Sequence, residues 1–471
     1  MLSTLLFAGV AAASLTVPDT LDVSDTTSIL DVSKTLASGV MSYYNGTAET
    51  FQDLPTPYYW WESGAMFGAM LDYSHYTNDS TYDDMIATAL MAQVGPNYDF
   101  MLPKHYGDEG NDDQAFWGFA VLAAAERNFP QPAGLTPAGM PSWLDLGVNI
   151  WSSMVARWNT TQCGGGFNWQ IFASNSNGLH YRNSVSNGGV FHLSARLAAL
   201  TGNQTYVDWA ARIWDWSTAI GLVDEYYNVW DGVDANDNCS KVNMLSFSYA
   251  AGIYLQGAAA MANLTGSLTA GTSEADHQLW SSRTAGLMAA TQASFFNGGP
   301  SGNVTDVLWE HACEGVNTCD TDMKSFKGYL SRFMSASAAL VPVLAPAVRT
   351  YLRASAAAAA KACSGTGDGV PTPAGATCGQ KWYVGGFDGS VGLGQQMSAL
   401  ETVQALLALP EAQDTAVKVA SRAISASSPV TSPMKPALAV RVAMTSAGAR
   451  EMGVRWLGLG LVFSVSAWLL V

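Results

Sequence analysis

Hydrophobic residues between about positions 20 and 410 follow two alternating helical patterns. In the first pattern, apolar residues recur every three or four positions, as at Ile29, Val32 and Leu36, with mostly polar or small residues between them. In the second pattern, stretches rich in Ala, Gly, Leu and aromatic residues are apolar on almost every side. A helix without a polar face must be covered all round, so these stretches predict helices inside the fold.

Six stretches of each kind alternate along the chain. The predicted inner helices are Tyr59–Tyr76, Asp112–Arg127, Ser184–Leu200, Met244–Leu264, Lys324–Leu340 and Gln395–Leu409. The predicted outer helices are Thr26–Tyr43, Thr81–Met91, Pro141–Trp158, Thr205–Ala219, Glu274–Ala293 and Ala345–Ala362. Six stacked helical hairpins predict an all-α fold, an (α/α)6 barrel, and the count of six favours closure over an open solenoid. The loops that enter the inner helices gather at one end of such a barrel, where we expect the active site.

Composition restricts the classes of partner and of chemistry. The 471 residues carry a net charge of −16 without any Lys/Arg-rich run, so a nucleic acid is not expected as a partner. Motifs of metalloproteases, serine hydrolases and P-loop proteins are absent, and the six histidines lack metal-ligand spacing. We therefore expect neither a metal nor a cofactor. Sixteen Trp and eighteen Tyr suit stacking on sugars as well as core packing.

Both ends of the chain resemble processing signals. Residues 1–14 read as a signal peptide, with a buried N-terminal helix as the alternative. After a Ser/Pro/Ala-rich stretch, the small residues Ser446 to Gly448 precede a polar spacer and an apolar tail from Trp456 to Val471, the order of a GPI-attachment signal. A short tail anchor is the alternative. The prediction is a catalytic domain at 15–420, a linker at 421–446 with the GPI site at Ser446, and a removed propeptide at 447–471.

Cysteines and glycosylation sequons indicate a secreted glycoprotein. Six cysteines allow 15 pairings, and we favour Cys313–Cys319 and Cys363–Cys378 because each closes a short loop, which leaves Cys163 with Cys239. Seven sequons begin at Asn45, Asn78, Asn159, Asn203, Asn238, Asn263 and Asn303. With the terminal signals, these features predict a monomer anchored on the outer face of the plasma membrane or moved into a cell wall.

The loop before the second inner helix contains the neighbouring carboxylates Asp112 and Asp113. Acidic residues suit the start of a helix, so capping alone could explain one of them. A second carboxylate beside the first costs like-charge repulsion and needs its own reason. Glycoside hydrolysis supplies one, because retaining enzymes use two carboxyl groups about 5–5.5 Å apart as nucleophile and acid/base.

Several motifs together resemble family 76 glycoside hydrolases, in particular the fungal, GPI-anchored mannan endo-1,6-α-mannosidases. They are Tyr59–Gly64 (YWWESG), Asn111–Asp113 (NDD), Cys163–Trp169 (CGGGFNW), Arg182–Gly188 (RNSVSNG) and Phe326–Gly328 (FKG). The resemblance covers roughly residues 20 to 410. It implies an (α/α)6 fold, α-1,6-mannoside substrates and retention of configuration, with Asp112 as the nucleophile and Asp113 as the acid/base.

Five other residues are candidates for substrate binding. Trp61 and Trp169 could be platforms for sugar rings or core residues. Asn187, Lys327 and Arg332 lie at the starts of apolar inner helices or within them, where an uncompensated polar group is costly. Contact with a polar ligand would explain them, and internal salt bridges would too.

The resemblance leaves the acceptor open, so hydrolysis and transglycosylation are both compatible with the sequence. An enzyme at the cell surface meets mannose glycans of GPI anchors together with wall glucan, and the fungal resemblance implies transfer of GPI-anchored proteins into the wall. One alternative is a non-catalytic glycan-binding scaffold on the same fold, in which the aspartates only cap a helix. A lyase or an epimerase of (α/α)6 fold is another.

Overall fold

A computed structural model of the chain describes residues 16–47, 52–107, 109–267, 273–367, 369–372 and 375–410. The predicted signal peptide, the linker at 421–446, the GPI site at Ser446 and the propeptide at 447–471 lie outside the described residues and stay predictions. In the part of the chain that is described, no helix combines the length and the apolar character that crossing a membrane requires.

Twelve α-helices alternate between an outer and an inner layer in the described residues. The outer helices are α1 (Thr26–Met41), α3 (Asp83–Ala92), α5 (Trp143–Val155), α7 (Gln204–Ala219), α9 (Glu274–Phe295) and α11 (Ala345–Ala362). The inner helices are α2 (Trp60–Thr77), α4 (Asn111–Glu126), α6 (Ser184–Thr201), α8 (Ser248–Gly266), α10 (Phe326–Leu340) and α12 (Leu393–Ala408). Short 3-10 turns occupy Pro18–Thr20, Pro103–His105, Ala235–Asp237, Glu314–Val316, Pro342–Leu344 and Trp382–Val384. All twelve predicted helices are confirmed.

One boundary differs by a full turn. The sequence predicts an inner helix from Met244, whereas α8 begins at Ser248. The preceding segment is extended, with Met244 70% exposed and the side chain of Leu245 also largely exposed. The apolar run therefore continues past the helix into a loop at the mouth of the barrel, and periodicity alone does not separate the two.

The inner helices form a closed ring. Each packs against two neighbours in the order α2, α4, α6, α8, α10 and α12, and α12 returns to α2. Each outer helix lies against the inner helices beside it, as α9 lies on α8 and α7 on α6. In α6, every residue from Ser184 to Ala198 is buried, which is the environment that an all-round apolar pattern predicts. The closed (α/α)6 barrel is confirmed.

Aromatic side chains fill the axis of the ring. Phe119 of α4 lies 5.8 Å from Phe333 of α10, measured between ring centroids, although these two helices are not neighbours in the ring. His192 of α6 lies 4.6 Å from Phe119 and 5.2 Å from Phe333. All three side chains are at most 2% exposed. Above them, Phe116 contacts Phe119 at 5.3 Å and forms part of the wall of a cavity.

A small antiparallel sheet at the loop end of the barrel was not predicted. Its strands are β1 (Tyr181–Asn183), β2 (Gly232–Asp234) and β3 (Val242–Asn243), in the order β1-β2-β3. Tyr181 pairs with Asp234 and Gly232 pairs with Asn243. Strands of two or three residues are too short to show an alternating pattern. The sheet nevertheless places Asn183 at the entrance to α6.

The three disulfides are those favoured by the sequence: Cys163–Cys239, Cys313–Cys319 and Cys363–Cys378. All six cysteines are therefore paired. The first bond joins the loop before β1 to the segment between β2 and β3, across 76 residues of sequence. The second closes a loop of six residues just before α10.

Candidate active site

The start of helix α4 brings two carboxyl groups together. The backbone N–H of Gly110 donates to Asp113 Oδ2 over 2.5 Å, and the backbone N–H of Asp113 donates to Asp112 Oδ1 over 3.0 Å. A Cβ at position 110 would lie 2.5 Å from Asp112 Oδ1 and 3.0 Å from Asp113 Oδ2. Glycine is therefore needed at position 110 for the two carboxyl groups to approach the backbone this closely.

Asp112 is surrounded by hydrogen-bond donors. Asn183 Nδ2 donates to Asp112 Oδ2 over 2.8 Å, and the side chain of Trp169 lies within reach to donate as well. Burial raises the pKa of Asp112 to about 6. The two side-chain donors and the backbone N–H of Asp113 stabilise the anion and therefore oppose this increase in the pKa. Asp112 is therefore the carboxyl group of the pair that ionises more easily.

Asp113 is surrounded by other carboxyl groups. Burial raises its pKa well above the ordinary value, and the negative charges of Asp112, Glu109 and Asp322 raise it further. The hydrogen bond from Gly110 opposes these effects only in part. Asp113 therefore keeps its proton at a pH where Asp112 is ionised. The pair combines an anionic carboxylate with a neutral carboxylic acid.

Helix capping explains only part of this arrangement. Asp113 does accept a hydrogen bond from Gly110 at the start of the helix, as a capping residue would. Asp112 has a different set of partners, because its carboxylate bonds to Asn183, which belongs to β1. Asp112 also forms part of the wall of an open cavity. A simple cap requires neither feature.

The first cavity, of about 250 Å³, opens above the pair at the loop end of the barrel. Its wall combines aromatic rings, apolar side chains, carboxylates and an amide: Trp61, Asp112, Asp113, Phe116, Trp169, Tyr181, Asn183, Asp231, Leu245, Phe247, Tyr249, Asp320, Asp322, Met323 and Phe326. Tyr249 and Phe326 stack with their centroids 3.7 Å apart. Ring faces beside hydrogen-bonding groups are the usual surroundings of a bound sugar.

A second cavity, of about 320 Å³, adjoins the first. Its wall is Tyr59, Trp60, Trp61, Asp113, Trp169, Gln170, Asn175, Asn177 and Asp322. Four residues border both cavities: Trp61, Asp113, Trp169 and Asp322. We call these four residues the neck. Asp112 borders the first cavity and is not in the wall of the second.

Two of the five predicted substrate-binding residues lie in the neck. Trp61 is 8% exposed and packs against Phe116 with centroids 4.7 Å apart, so it is both a core residue and a part of the cavity wall. Trp169 is 36% exposed and lies over the Gly178 backbone. Both rings therefore border the two cavities, as a substrate-binding role would require.

The other three predicted residues are not in the wall of either cavity, and each has partners inside the protein. Lys327 Nζ forms an ion pair with Glu314 Oε1 over 2.6 Å and lies 4.0 Å from the ring centroid of Trp382. Arg332 Nε forms an ion pair with Asp72 Oδ2 over 2.8 Å. Their charges are satisfied inside the protein, which is the alternative that the sequence left open.

Asn187 also has an internal role. Its Oδ1 accepts from the backbone N–H of Phe167 over 2.9 Å, and its Nδ2 donates to the carbonyl oxygen of Phe167 over 3.0 Å. Nδ2 also donates to the carbonyl oxygen of Asn183 over 2.9 Å. Asn187 thus fixes the loop that precedes Trp169 and the residue that bonds to Asp112. Its effect on the site is indirect.

Sequence reasoning missed several polar residues of the cavity. Asn183 was part of a recognised motif but had no assigned role. Asp231 accepts hydrogen bonds from the Tyr181 hydroxyl over 2.5 Å and from Asn243 Nδ2 over 2.9 Å. These residues come from β1, β3 and the segment before β2. Their proximity depends on a sheet that the pattern does not reveal, so no local signal identified them.

Metal coordination has no visible site in the described residues. Among them, no group of three or more His, Cys, Asp or Glu side chains is arranged to hold a metal ion. The charged residues in the walls of the two cavities are all carboxylates: Asp112, Asp113, Asp231, Asp320 and Asp322.

Several known proteins are similar to this chain in fold and in sequence. A mannan endo-1,6-α-mannosidase named DCW1 from Candida glabrata is 44% identical over 399 residues, which is 83% of this chain and 82% of the relative. The crystal structure of Dfg5 from Chaetomium thermophilum, in complex with glucosamine, has a TM-score of 0.73 and 37% identity, covering 82% of this chain and 92% of that one. An inactive variant of an α-1,6-mannanase from Salegentibacter sp. HEL1_6, in complex with α-1,6-mannotriose, shares the fold with a TM-score of 0.59 at 19% identity, over 80% and 99% of the two chains. The model of glycosyl hydrolase family 76 matches residues 28–418, and the chain therefore belongs to glycosyl hydrolase family 76.

Proposed function

We propose that the protein is a retaining glycosidase that acts on α-1,6-mannosides, with Asp112 as the nucleophile and Asp113 as the acid/base. The observation that carries this proposal is the pair's unequal environment. Donors surround Asp112 and carboxylates surround Asp113, so one is ionised while the other holds a proton. Retaining glycoside hydrolysis requires these two protonation states together.

The reaction then follows from the two states in two steps. In the first, the Asp112 carboxylate attacks the anomeric carbon while Asp113 gives its proton to the departing glycosidic oxygen. This forms a covalent mannosyl ester on Asp112 and leaves Asp113 ionised. In the second, Asp113 takes the proton of an incoming hydroxyl group, whose oxygen displaces Asp112 from the anomeric carbon. Both carboxyl groups return to their starting states.

The two cavities assign places to the two sugars. The nucleophile reaches only the first cavity, so the sugar whose anomeric carbon reacts belongs there. Asp113 borders both cavities, which is required of a group that first protonates the leaving oxygen and later activates the acceptor. The leaving group and the acceptor therefore belong in the second cavity.

The wall of the second cavity suits a sugar as the acceptor, in addition to water. Its wall presents the rings of Tyr59, Trp61 and Trp169 beside the amides of Gln170 and Asn175. Rings and amides bind sugar faces and hydroxyl groups, respectively. A bound sugar hydroxyl in the second cavity would compete with water for the mannosyl ester. We therefore extend the proposal to transglycosylation.

The terminal sequences and the related proteins suggest where this transfer takes place. The predicted signal peptide and GPI-attachment signal would hold the enzyme on the outer face of the plasma membrane, between GPI-anchor glycans and wall glucan. Relatives named mannan endo-1,6-α-mannosidases support a mannose-containing glycan as the donor. We propose a role in cell-wall biogenesis, in which GPI-anchored glycoproteins are linked to wall glucan.

Product analysis tests the reaction. The purified protein, Asp112→Asn and Asp113→Asn would be incubated with α-1,6-mannotriose and with a GPI-type glycan, each with and without a glucan oligosaccharide. NMR and mass spectrometry would identify the products. We expect products of α configuration, glucan-linked products when the acceptor is present, and at least about a 1,000-fold loss of rate in both variants. Asp84→Asn, an exposed residue of outer helix α3, is the matched control and should retain full activity.

Azide separates the roles of the two aspartates. With an activated aryl α-mannoside, azide should rescue Asp113→Asn by attacking the mannosyl ester, giving an α-mannosyl azide. In Asp112→Asn, azide should instead replace the missing nucleophile and give a β-mannosyl azide. Absence of turnover by the wild-type protein on every donor, with glycan binding unchanged in both variants, would favour the glycan-binding scaffold.

A further inference from the structure

Asp322 is a carboxyl group in the neck to which the mechanism gives no role. Of the four residues that border both cavities, Trp61 and Trp169 supply ring faces and Asp113 supplies the proton. Asp322 is the fourth. A group placed at the boundary of both cavities lies beside the bond that joins the two sugars, wherever the rest of the glycan extends.

The loop before α10 holds Asp322 in place. Its carbonyl oxygen accepts hydrogen bonds from Ser325 N over 2.9 Å and from Ser325 Oγ over 2.6 Å. The disulfide Cys313–Cys319 closes a turn that ends three residues before Asp322. The backbone is thus restrained after Asp322 by Ser325 and shortly before it by the disulfide, which favours a preorganised carboxyl group.

The carboxyl group of Asp322 still has capacity to bind a ligand. The Trp61 indole lies within reach to donate to it. Oδ1 is buried and has no hydrogen-bond partner of good geometry among the described residues. A carboxylate has about four acceptor positions, so a buried oxygen without a partner is costly unless a ligand or water fills the gap. A sugar hydroxyl in the neck would do so.

The charges around Asp322 couple it to the catalytic pair. Its negative charge raises the pKa of Asp113. Other ionisable groups face Asp322 from several elements. The negative charges of Asp320 in the same loop and Asp112 of α4 raise the pKa of Asp322. The negative charge of Asp322 in turn raises the pKa of Glu62 of α2, Tyr249 of α8 and Tyr329 of α10. Burial and the charges of Asp320 and Asp112 raise the pKa of Asp322 to about 7.

We propose that Asp322 is a substrate-binding residue whose carboxyl group accepts a hydrogen bond from a hydroxyl group of the sugar in the neck and so holds the glycosidic oxygen beside Asp113. This inference rests on the proposed function for the identity of the sugar. It adds a specificity determinant on the loop before α10, whereas the catalytic pair belongs to α4.

Asp322→Asn tests the inference, with Asp237→Asn as the matched control. Asp237 is an exposed carboxylate between β2 and β3, at the same end of the barrel, and it borders neither cavity. On α-1,6-mannotriose, we expect Asp322→Asn to lower kcat/KM by about 10- to 100-fold, the range for loss of a hydrogen bond to a charged group. The amide keeps only one acceptor oxygen, which the Trp61 indole can occupy, and it turns an NH2 donor toward the sugar hydroxyl. The alkaline limb of its pH profile should move to lower pH by about half a unit to one unit, because Asp113 then loses a repelling charge. Asp237→Asn should change kcat/KM by less than about threefold.

Two results would overturn the inference. One is an Asp322→Asn variant whose kcat/KM and alkaline limb match those of the wild type. The other is an equal loss in Asp237→Asn, which would indicate a general effect of negative charge at this end of the barrel. Thermal unfolding of both variants shows whether they are folded.

A second measurement separates this inference from the proposed function. If the wild-type protein does not turn over mannotriose, the proposed function fails, and calorimetric titration with mannotriose then decides the inference. Binding weakened at least about tenfold in Asp322→Asn but not in Asp237→Asn supports a ligand contact at the neck. Equal binding by the wild type and both variants, or no binding at all, contradicts it.

Discussion

Two neighbouring residues of identical chemistry receive different roles from their surroundings. Asp112 and Asp113 are both half-buried in the cavity wall, and burial raises the pKa of each. The difference comes from what each carboxyl group faces. An amide and an indole point at Asp112, whereas Glu109 and Asp322 repel charge on Asp113. Neighbouring carboxylates can thus serve as nucleophile and acid without any difference in residue type.

A bell-shaped pH profile is the first prediction at this scale. Activity requires ionised Asp112, so kcat/KM should fall as the pH drops below about 6, where Asp112 becomes protonated. It also requires protonated Asp113, so kcat/KM should fall again at higher pH, where the raised pKa of Asp113 is exceeded. Initial rates on α-1,6-mannotriose from pH 4 to pH 9 measure both limbs. A rate independent of pH across this range would contradict the assignment.

Asn183→Ser should move the acid limb. Asn183 donates to Asp112, and its Oδ1 also caps helix α6 by accepting from Ser186 N over 3.0 Å. Serine is a good N-cap, so helix α6 should persist. The serine side chain is too short to reach Asp112, so the Asp112 carboxylate should lose this hydrogen bond. The pKa of Asp112 should rise, and the acid limb of the kcat/KM profile should move to higher pH by about half a pH unit to one pH unit.

The same pH series measures this shift. Asn175→Ser, in the wall of the second cavity, is the control and should leave the acid limb in place. An unchanged acid limb in Asn183→Ser, with normal thermal unfolding, would show that the Asn183 bond does not tune Asp112.

Residue roles were predictable from the sequence only where the local pattern contained the reason. The Asp pair stands out because a single carboxylate suffices to cap a helix. Lys327 looked like a ligand contact because a cation inside an apolar helix needs a partner, and that partner proved to be Glu314, which lies in the preceding loop. Asp322 gave no signal, because its importance depends on two cavities that meet in three dimensions.

At the scale of elements, the helices were predictable and the sheet was not. A helix of four or more turns repeats its pattern often enough to be recognised, and an inner helix adds the absence of a polar face. β1, β2 and β3 contain at most three residues each, so they have no period to detect. The sheet forms because chain segments meet at the mouth of the barrel, where Asp231 N also bonds to the carbonyl oxygens of Asn243 and Leu245.

The disulfides provide a prediction about these loop segments. Replacing Cys163 and Cys239 together by Ala should lower the free energy of unfolding by about 4 kcal/mol, since the bond closes a long loop in the unfolded chain. The same change at Cys313 and Cys319, which are six residues apart, should cost only about 2 kcal/mol. Urea denaturation of the two double variants measures both values. Equal losses would show that native contacts, rather than loop entropy, dominate.

At the scale of the whole molecule, the closed ring buries ionisable groups deep in the protein. Glu401 of α12 is 1% exposed, and burial raises its pKa to about 8, with Asp72 adding to the increase and Arg332 opposing it. Burial likewise raises the pKa of Glu62 and of Glu310 to about 8. The folded protein therefore holds protons on these groups that the unfolded chain releases near pH 4.5.

This difference makes stability depend on pH. Between about pH 4.5 and pH 8 the unfolded chain binds fewer protons than the folded protein, so the free energy of unfolding should fall as the pH rises. Glu401→Gln removes one such group. Between pH 5 and pH 8, the free energy of unfolding of this variant should fall by less than that of the wild type, with a difference of more than about 1 kcal/mol. Urea denaturation at both pH values measures this. Glu274→Gln, exposed in the first turn of α9, should behave like the wild type.

The aromatic rings on the barrel axis determine how a long polysaccharide could meet this enzyme. Phe119, Phe333 and His192 meet beneath Phe116, so the described ring of helices leaves no passage through its centre. A polymer cannot be threaded from one end of the barrel to the other and cut repeatedly without release. A glycan chain must instead enter and leave through the open end of the barrel, where the two cavities lie.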